Sequence, residues 1–578
     1  MGSQRTCCLA PVSAISVLIF LTTYIKSIML NPLSIALLAL PAALLYLYLA
    51  LSYRRFKQYA HFPQVKPSLV WGHLKAVGAF HQRRGEENGS MESAFADMSE
   101  SIGNPPVMLL DTRPVMRAML LIRSHEIAEQ VSRQSKTWPY STPKSDTMRN
   151  LAPLLGERSI AMAQGSEWKD MRKHFNPGFA PQHLMGLMPT ILEKTEAFLA
   201  KLDTLANTGA IFELEPLCTN LTFDIIGAVT MDVDLGAQLP EELQSDFIKN
   251  YKKFLLSYKE STGMLRWADG PRKNRQRKRL SKTLNIFLED LIQRKFDDVK
   301  QDEGSSTRSI LALSLKDTEV LTRDIIDYTK DQLKSFIFAG HDTTSILLQW
   351  AFYELSRTPR AMKALRTELE ALFGPDLSPA SVREALLSRG EEITRGMTNP
   401  APVSPAATAR LCPPGANFHL QLPSGASLCV DGLVLYSCSY LIQRDPDVYG
   451  STKDDFVPER WLGNTDTSMA TNEDEKAGAE ECEIPASAWR PFERGPRNCI
   501  GQELANIEAR VILASVVGKY VFEKVGLGEA ARDEKGNPIV NEKGQYKSNT
   551  QLYNTRQVTL RPVDNMKVRV RLRDVTKD

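Results

Sequence analysis

No C-x-x-C pair and no cluster of cysteine with histidine occurs in the 578 residues, so the sequence carries no recognisable zinc site. The cysteines are scattered, at positions 7, 8, 218, 412, 429, 438, 482 and 499. Nothing in that spacing demands disulfides, and a reducing compartment suits it. A charge excess of one sign is also missing: the formal net charge is +3, which argues against a general nucleic-acid binder. Internal repeats and low-complexity tracts are absent too. What remains is a globular composition, 43% hydrophobic and 24% charged, in a chain whose length alone suggests two to four domains.

Charge is lacking altogether from Ile28 to Tyr53, and Cys7–Ile25 is apolar apart from a few Ser and Thr. Each run is near the roughly 20 residues needed to span a bilayer. Pro11, Pro32 and Pro41 interrupt them, which membrane helices tolerate. Arg54, Arg55 and Lys57 follow at once and place that end in the cytosol by the positive-inside rule. No clean small-residue cleavage site precedes Lys26, which argues against a cleaved signal peptide. The expectation is a membrane anchor over residues 1–57 with one or two transmembrane segments; whether the first run spans stays open. Residues 58–74 then read as a stiff, extended hinge, because Pro63, Pro67 and Gly72 forbid a helix.

The stretch with the most chemistry is Pro491–Arg510, P-F-E-R-G-P-R-N-C-I-G-Q-E-L-A-N-I-E-A-R. Phe492, Gly495, Arg497, Cys499 and Gly501 fall in the order F-x-x-G-x-R-x-C-x-G, and a helical run from Gln502 to Val517 follows. This sets a sulfur at a helix N-terminus, where unpaired N–H groups and the helix dipole favour thiolate over thiol. Gly495 and Gly501 permit backbone approaches that a Cβ would block. Phe492 can cover the sulfur, and Arg497 can pair with an anionic group of whatever the sulfur binds. The alternative is a structural core cysteine ahead of a surface helix.

This loop closely resembles the haem-binding loop of cytochrome P450 enzymes. The resemblance implies that Cys499 is the axial thiolate of haem b iron, that Arg497 meets a haem propionate and that Phe492 shields the sulfur. Two further stretches fit it. Trp168 and Arg172, four apart in G-S-E-W-K-D-M-R-K-H-F, share a helix face. They match the family's W-x-x-x-R, which implies propionate contacts; a surface Trp–Arg stack is the plain alternative. Glu319–Arg357 is the longest helical pattern, apolar nearly all round from Ile346 to Phe352, and Pro359 ends it. Ala339-Gly340-His341-Asp342-Thr343-Thr344 interrupts it with residues that weaken a helix, as functional sites do. It resembles the oxygen-activation motif A-G-x-D/E-T-T. That implies that Gly340 opens a groove against the haem, and that Asp342 and Thr343 manage water and protons.

One stretch departs from the pattern. The family has a helix bearing E-x-x-R ahead of a proline pair and an arginine-bearing strand. Pro405–Arg410 looks like the latter, with Arg410 a propionate partner, but Thr398–Val403 stands where the helix belongs, and Pro400 and Pro402 forbid one. Glu392–Arg395 is a formal E-x-x-R, followed at once by Gly396, and reads as coincidental. In the family those residues form a triad with the arginine of a later P-E-R, here Arg460 in Phe456–Trp461. A buried Arg460 without partners would cost about 3–5 kcal/mol. Either the chain is an incomplete or mis-spliced translation, or Glu392 and Arg395 are recruited across a reshaped loop.

Elsewhere, Cys412–Leu435 reads as a β-hairpin, Tyr520–Phe522 and Val558–Arg573 as a terminal sheet, and Glu529–Thr550 as an exposed polar insertion. Arg266–Lys282 is strongly basic, either a solvated loop or a contact with anionic headgroups. The resemblance implies a mainly α cytochrome P450 fold with a minor β portion over residues 75–578, behind the one or two N-terminal transmembrane helices. It implies a monooxygenase fed by NADPH-cytochrome P450 reductase, with cytochrome b5 as a second donor, on the cytosolic side of the endoplasmic reticulum membrane. The substrate would be a lipophilic small molecule, in the manner of fungal secondary metabolism. The rivals are a reductase-independent haem-thiolate isomerase or dehydratase, and a haem-poor remnant.

Overall fold

The computed structural model describes residues 32–83, 90–259, 271–301, 308–396, 408–461, 484–556 and 558–575. Cys7–Ile25 and Thr398–Val403 lie outside them. The second apolar run appears as helix α1, Pro32–Phe56, whose Leu44, Leu45, Leu47 and Leu49 are all exposed. Among the described residues no helix is long and apolar enough to cross a membrane, so the expected transmembrane helix is not found there.

The fold is mostly helical. The longest helix takes the path its apolar pattern marks. It begins four residues later than the pattern, because Thr322 caps it by accepting the Ile325 N–H. We number the helices that matter to the site in chain order: α2 (Gly165–Phe175), α3 (Met188–Thr208), α4 (Leu214–Met231), α5 (Asp246–Lys259), α6 (Pro271–Gln301), α7 (Arg323–Arg357), α8 (Pro359–Phe373), α9 (Pro379–Gly396) and α10 (Gln502–Val517). The main core gathers Phe198 and Leu202 of α3, Leu221 and Ile225 of α4, Leu348 and Phe352 of α7, and Val511 and Ile512 of α10.

The β portion is small. One sheet runs in the order β1 (Val107–Leu110), β2 (Met119–Ile122), β7 (Val434–Ser437), β4 (Thr408–Leu411), with only β2 and β7 parallel. A second joins β3 (Ile211–Glu213), β11 (Lys567–Leu572) and β8 (Tyr520–Lys524), with Val570 opposite Phe522. Two hairpins complete it: β5 (His419–Gln421) with β6 (Ser427–Cys429), and β9 (Asn554–Arg556) with β10 (Leu560–Pro562). The hairpin and the terminal sheet expected from alternation are both present.

Most of the polar insertion is exposed, as its composition suggests, but Gln545 and its neighbours anchor it to the fold. Gln545 is 1% exposed; Arg357 at the end of α7 donates to its Oε1 at 2.9 Å, and its Nε2 lies 3.4 Å from Thr358 Oγ1. The Tyr546 N–H donates to the Arg357 carbonyl at 2.8 Å, and Lys543 reaches Asp455 at 2.6 Å. The insertion therefore clamps the end of α7 to the segment leading into Pro458–Trp461. Arg460, half-buried there, donates to the carbonyls of Val457 and Thr452 and to Thr452 Oγ1, and lies 5.4 Å from the Tyr449 ring. Among the described residues it forms no ion pair, and Asp455 acts on it only from a distance. Helix α9 is kinked at Arg389 and carries Glu392–Arg395 in its last turns, where Ile393 enters the main core. The Glu392 and Arg395 side chains lie outside the described residues.

The α7–α4 crossing positions the central motif. A Cβ on Gly340 would fall well inside contact distance of the Ile226 side chain, so glycine lets the two helices approach. One turn on, the Thr222 hydroxyl donates to the His341 carbonyl at 2.7 Å, and the His341 ring stacks on Phe223 at 3.8 Å. Burial pushes the His341 imidazole down to about 4.

Two outcomes follow. Gly340→Ala overpacks the crossing and should lower stability by about 1–3 kcal/mol in denaturant unfolding. His341 is neutral when folded but titrates near 6.5 once unfolded, so its stability contribution is complete above pH 6.5 and is lost as pH falls toward 4. Acid unfolding of His341→Phe should be less steep than that of the parent over that window.

Candidate active site

The Cys499 loop is pinned from three sides. The Cys499 N–H donates to the Phe492 carbonyl at 2.9 Å and the Asn498 N–H to the Gly495 carbonyl at 3.1 Å, which folds the loop back before α10. Gly495 takes φ +78°, and a Cβ there would collide with the Ser132 carbonyl, so no other residue fits. Arg490, whose side chain is 1% exposed, pairs with Glu129 at 2.8 Å, donates to Ser132 Oγ at 2.7 Å and also pairs with Glu493. Glu493 in turn accepts from Thr408, the first residue of β4. From α2, Arg172 donates to the Asn498 carbonyl at 2.6 Å and to its side chain at 3.0 Å. The half-buried Phe492 ring lies 6.4 Å from Trp489.

Cys499 keeps accessible surface, yet enough protein surrounds it that burial raises its thiol. Together these place the sulfur on the floor of a recess. The Gly501 N–H, Arg172 and Lys144 pull toward thiolate, as the helix N-terminus was expected to do, but burial outweighs them.

The electrostatics around that sulfur are lopsided. Arg497 is buried over the Trp168 ring at 4.8 Å, donates to the Ala163 carbonyl at 2.8 Å and leaves its Nε unpartnered. Burial, then the charges of Arg410 and Arg172, push its guanidinium down to about 9. Arg410 on β4 is 2% exposed with Nη1 unpartnered, and burial lowers it too. Lys144, whose backbone bridges to Arg410, is held well below the usual lysine range by burial, then by Arg497 and Arg410. The nearby acid, Glu493, is already bound to Arg490 and Thr408. Lys144 and Arg172 thus act on the sulfur, with Arg497 and Arg410 as the adjoining basic groups, while Glu493, the carboxylate that faces Lys144 and Arg410, is shared with Arg490 and Thr408. Such a set suits a ligand that carries two acid groups and offers a metal to the thiolate.

Trp168, Arg172, Arg410, Arg497 and Cys499 are therefore brought together. Lys144 was missed, because it stands in a turn-rich stretch with no motif around it. Asp342 and Thr343 lie on α7 with partners of their own. Thr343 Oγ1 donates to the Ala339 carbonyl at 2.7 Å on a partly open face of the helix. Asp342, 2% exposed, is taken by Arg561 and by the Thr559 hydroxyl, and Arg561 also pairs with Glu215 at 2.7 Å. The hairpin residues Thr559 and Arg561 carry no sequence signal of this role. Gly340 faces α4 with its missing side chain and lets the two helices pack there.

The chain matches the family profile of Cytochrome P450 over residues 70–384 and 431–548. Residues 385–430 fall outside the match, and these include the stretch where the sequence departs from the family pattern. Among curated relatives, Cytochrome P450 monooxygenase acrF of Aspergillus aculeatus is 29% identical over 429 residues, 72% of this chain and 84% of that protein. Cytochrome P450 monooxygenase polC of Polytolypa hystricis is 27% identical over 428 residues, 71% and 72% respectively. The crystal structure of the cytochrome P450DA heme domain superposes with a TM-score of 0.63 at 18% identity, covering 89% of this chain and 98% of that one, a likeness of fold. The profile match and these relatives agree with the cysteine loop: this chain belongs to the cytochrome P450 family of monooxygenases, whose cofactor is haem with an axial cysteine thiolate.

Proposed function

We propose that Cys499 is the axial ligand, and that Arg497, Arg410, Trp168 and Arg172, joined by Lys144, hold the haem propionates. One observation carries this reading: Lys144 and Arg172 act on the sulfur, Arg497 and Arg410 adjoin them, and the local acid, Glu493, is shared with Arg490 and Thr408. Two propionates and a thiolate would offset that charge. Bound haem supplies reductive activation of O2, with the thiolate favouring O–O cleavage. The chain's own residues do the rest. With the haem bound, Phe492 and the folded loop would shield the sulfur. Thr343 presents a hydroxyl on the open face of α7. Asp342, held by Arg561 and Thr559, is the buried acid that passes protons toward that face.

Electrons come from a redox partner, as the family requires. We take it to be NADPH-cytochrome P450 reductase, with cytochrome b5 as a second donor. The substrate we propose is a lipophilic small molecule of fungal secondary metabolism, in line with the fungal relatives. Residues 1–57 would anchor the chain in the endoplasmic reticulum membrane, with residues 58–74 as a link and the catalytic domain of residues 75–578 in the cytosol. A second reading, a haem-poor remnant, is favoured by the unmatched residues 385–430 and by an Arg460 without an ion pair among the described residues. A reductase-independent isomerase or dehydratase would turn over without NADPH.

The deciding experiment is the spectrum of the purified, reduced chain under carbon monoxide. A red-shifted Soret band that is lost in Cys499→Ser supports the haem-thiolate reading; absence of any haem spectrum supports the remnant. In the loaded enzyme, Asp342→Asn should slow product formation by about 10²-fold while leaving that spectrum intact.

A further inference from the structure

The link between α1 and the catalytic domain is not a free hinge. Arg55, in the last turn of α1, is 5% exposed. Its Nε donates to the Leu69 carbonyl at 3.1 Å, and its Nη2 to the Val70 carbonyl at 2.7 Å and the Arg113 carbonyl at 2.6 Å. Its Nη1 forms an ion pair with Asp111 at 2.6 Å, both side chains 3% exposed. Asp111 belongs to the rigid part of the fold: it follows β1, its N–H donates to His73 Nδ1 at 2.7 Å, and Arg113 pairs with it at 2.8 Å. Arg113 completes the clamp by donating to the Arg54 carbonyl and to Gln58. A Cβ on Gly72, which takes φ +55°, would strike both the Asp111 carbonyl and Arg55, so the loop can seat only with glycine there.

What the clamp holds out is apolar. The loop from Ser68 to Gly72, closed by an isolated bridge, presents Val70 at 51% and Trp71 at 54% exposure. It sits on the end of a helix whose Tyr46, Tyr48, Leu49, Tyr53 and Phe56 are also exposed. Arg54, Lys57, Lys66 and Lys75 are exposed in the same turns of chain. An apolar tip with a tryptophan, next to an apolar helix and amid lysine and arginine, has the composition of a bilayer interface. A protein partner would have to cover the tip and the helix at once; a bilayer does so with one surface.

We propose that the Ser68–Gly72 loop is a second lipid contact, and that Arg55 locks it to α1 so that the direction of α1 sets the tilt of the catalytic domain on the membrane. This rests on the membrane-anchored reading above.

The test uses the full-length holoenzyme in vesicles of phosphatidylcholine and phosphatidylserine containing brominated acyl chains. Bromolipid should quench a part of the tryptophan emission that is missing in Trp71→Phe. In Arg55→Ala that part should be lost, although the protein still floats with the vesicles. Should Arg55→Ala fail to fold, Arg55→Lys, which keeps the charge beside Asp111 but lacks the planar fork that reaches three carbonyls, gives the same comparison. A chain that does not float overturns the anchored reading, and this proposal with it. A chain that floats with Trp71 unquenched overturns the loop contact alone. Quenching unchanged in both Arg55 variants overturns the lock.

Discussion

Arg490 is the charge on which the site's construction depends. Nearly fully buried, it ties Glu129 and Ser132 to the cysteine loop, and through Glu493 it reaches the start of the strand that carries Arg410. An ion buried so deeply is tolerable only with its partners in place, since removing one side of such a pair costs about 3–5 kcal/mol. The requirement works in both directions. It fixes Glu493, so that one carboxylate is shared among Arg490, Lys144 and Arg410 beside Cys499. The recess is left electropositive because its acid is engaged behind it.

The parts of this arrangement that were legible in the sequence are those where one residue type at one spacing has one physical use. Gly495 is such a case: a left-handed turn against a carbonyl admits nothing else, and the cysteine, the arginine and the helix start follow from it at fixed intervals. The long central helix was legible from its apolar periodicity, and the terminal sheet from its alternation. Lys144, Arg561 and Arg55 were not, because a cation's role depends on which carbonyls and carboxylates the tertiary fold brings to it. Gly340 was legible as special, and the helix crossing adds a use that the sequence did not show. Gln545 was not legible either: the insertion is mostly solvated, as its composition suggests, and nothing in it marks the one glutamine that clamps Arg357 and Thr358.

The insertion also bears on the stretch that departs from the family. The segment from Ser451 to Trp461 is held by Lys543 on Asp455, by Arg360 on Glu459 and by the carbonyls that receive Arg460. Half-burial and backbone acceptors make Arg460 far less costly than an unpaired ion in a dry core. The fold thus supports that segment through contacts drawn from the end of α7, the start of α8 and the insertion.

The pairing of Asp342 with Arg561 spans 219 residues of sequence. At translation rates of about 5–20 residues per second, the arginine is made roughly 10–40 seconds after the aspartate. Throughout that interval α7 holds a carboxylate, 2% exposed in the finished fold, without the arginine that pairs with it. The terminal sheet, which joins residues 211–213 to 567–569, is equally unfinished. The centre of this molecule therefore cannot close while it is being made, and the nascent chain must be kept from aggregating until its last strand arrives.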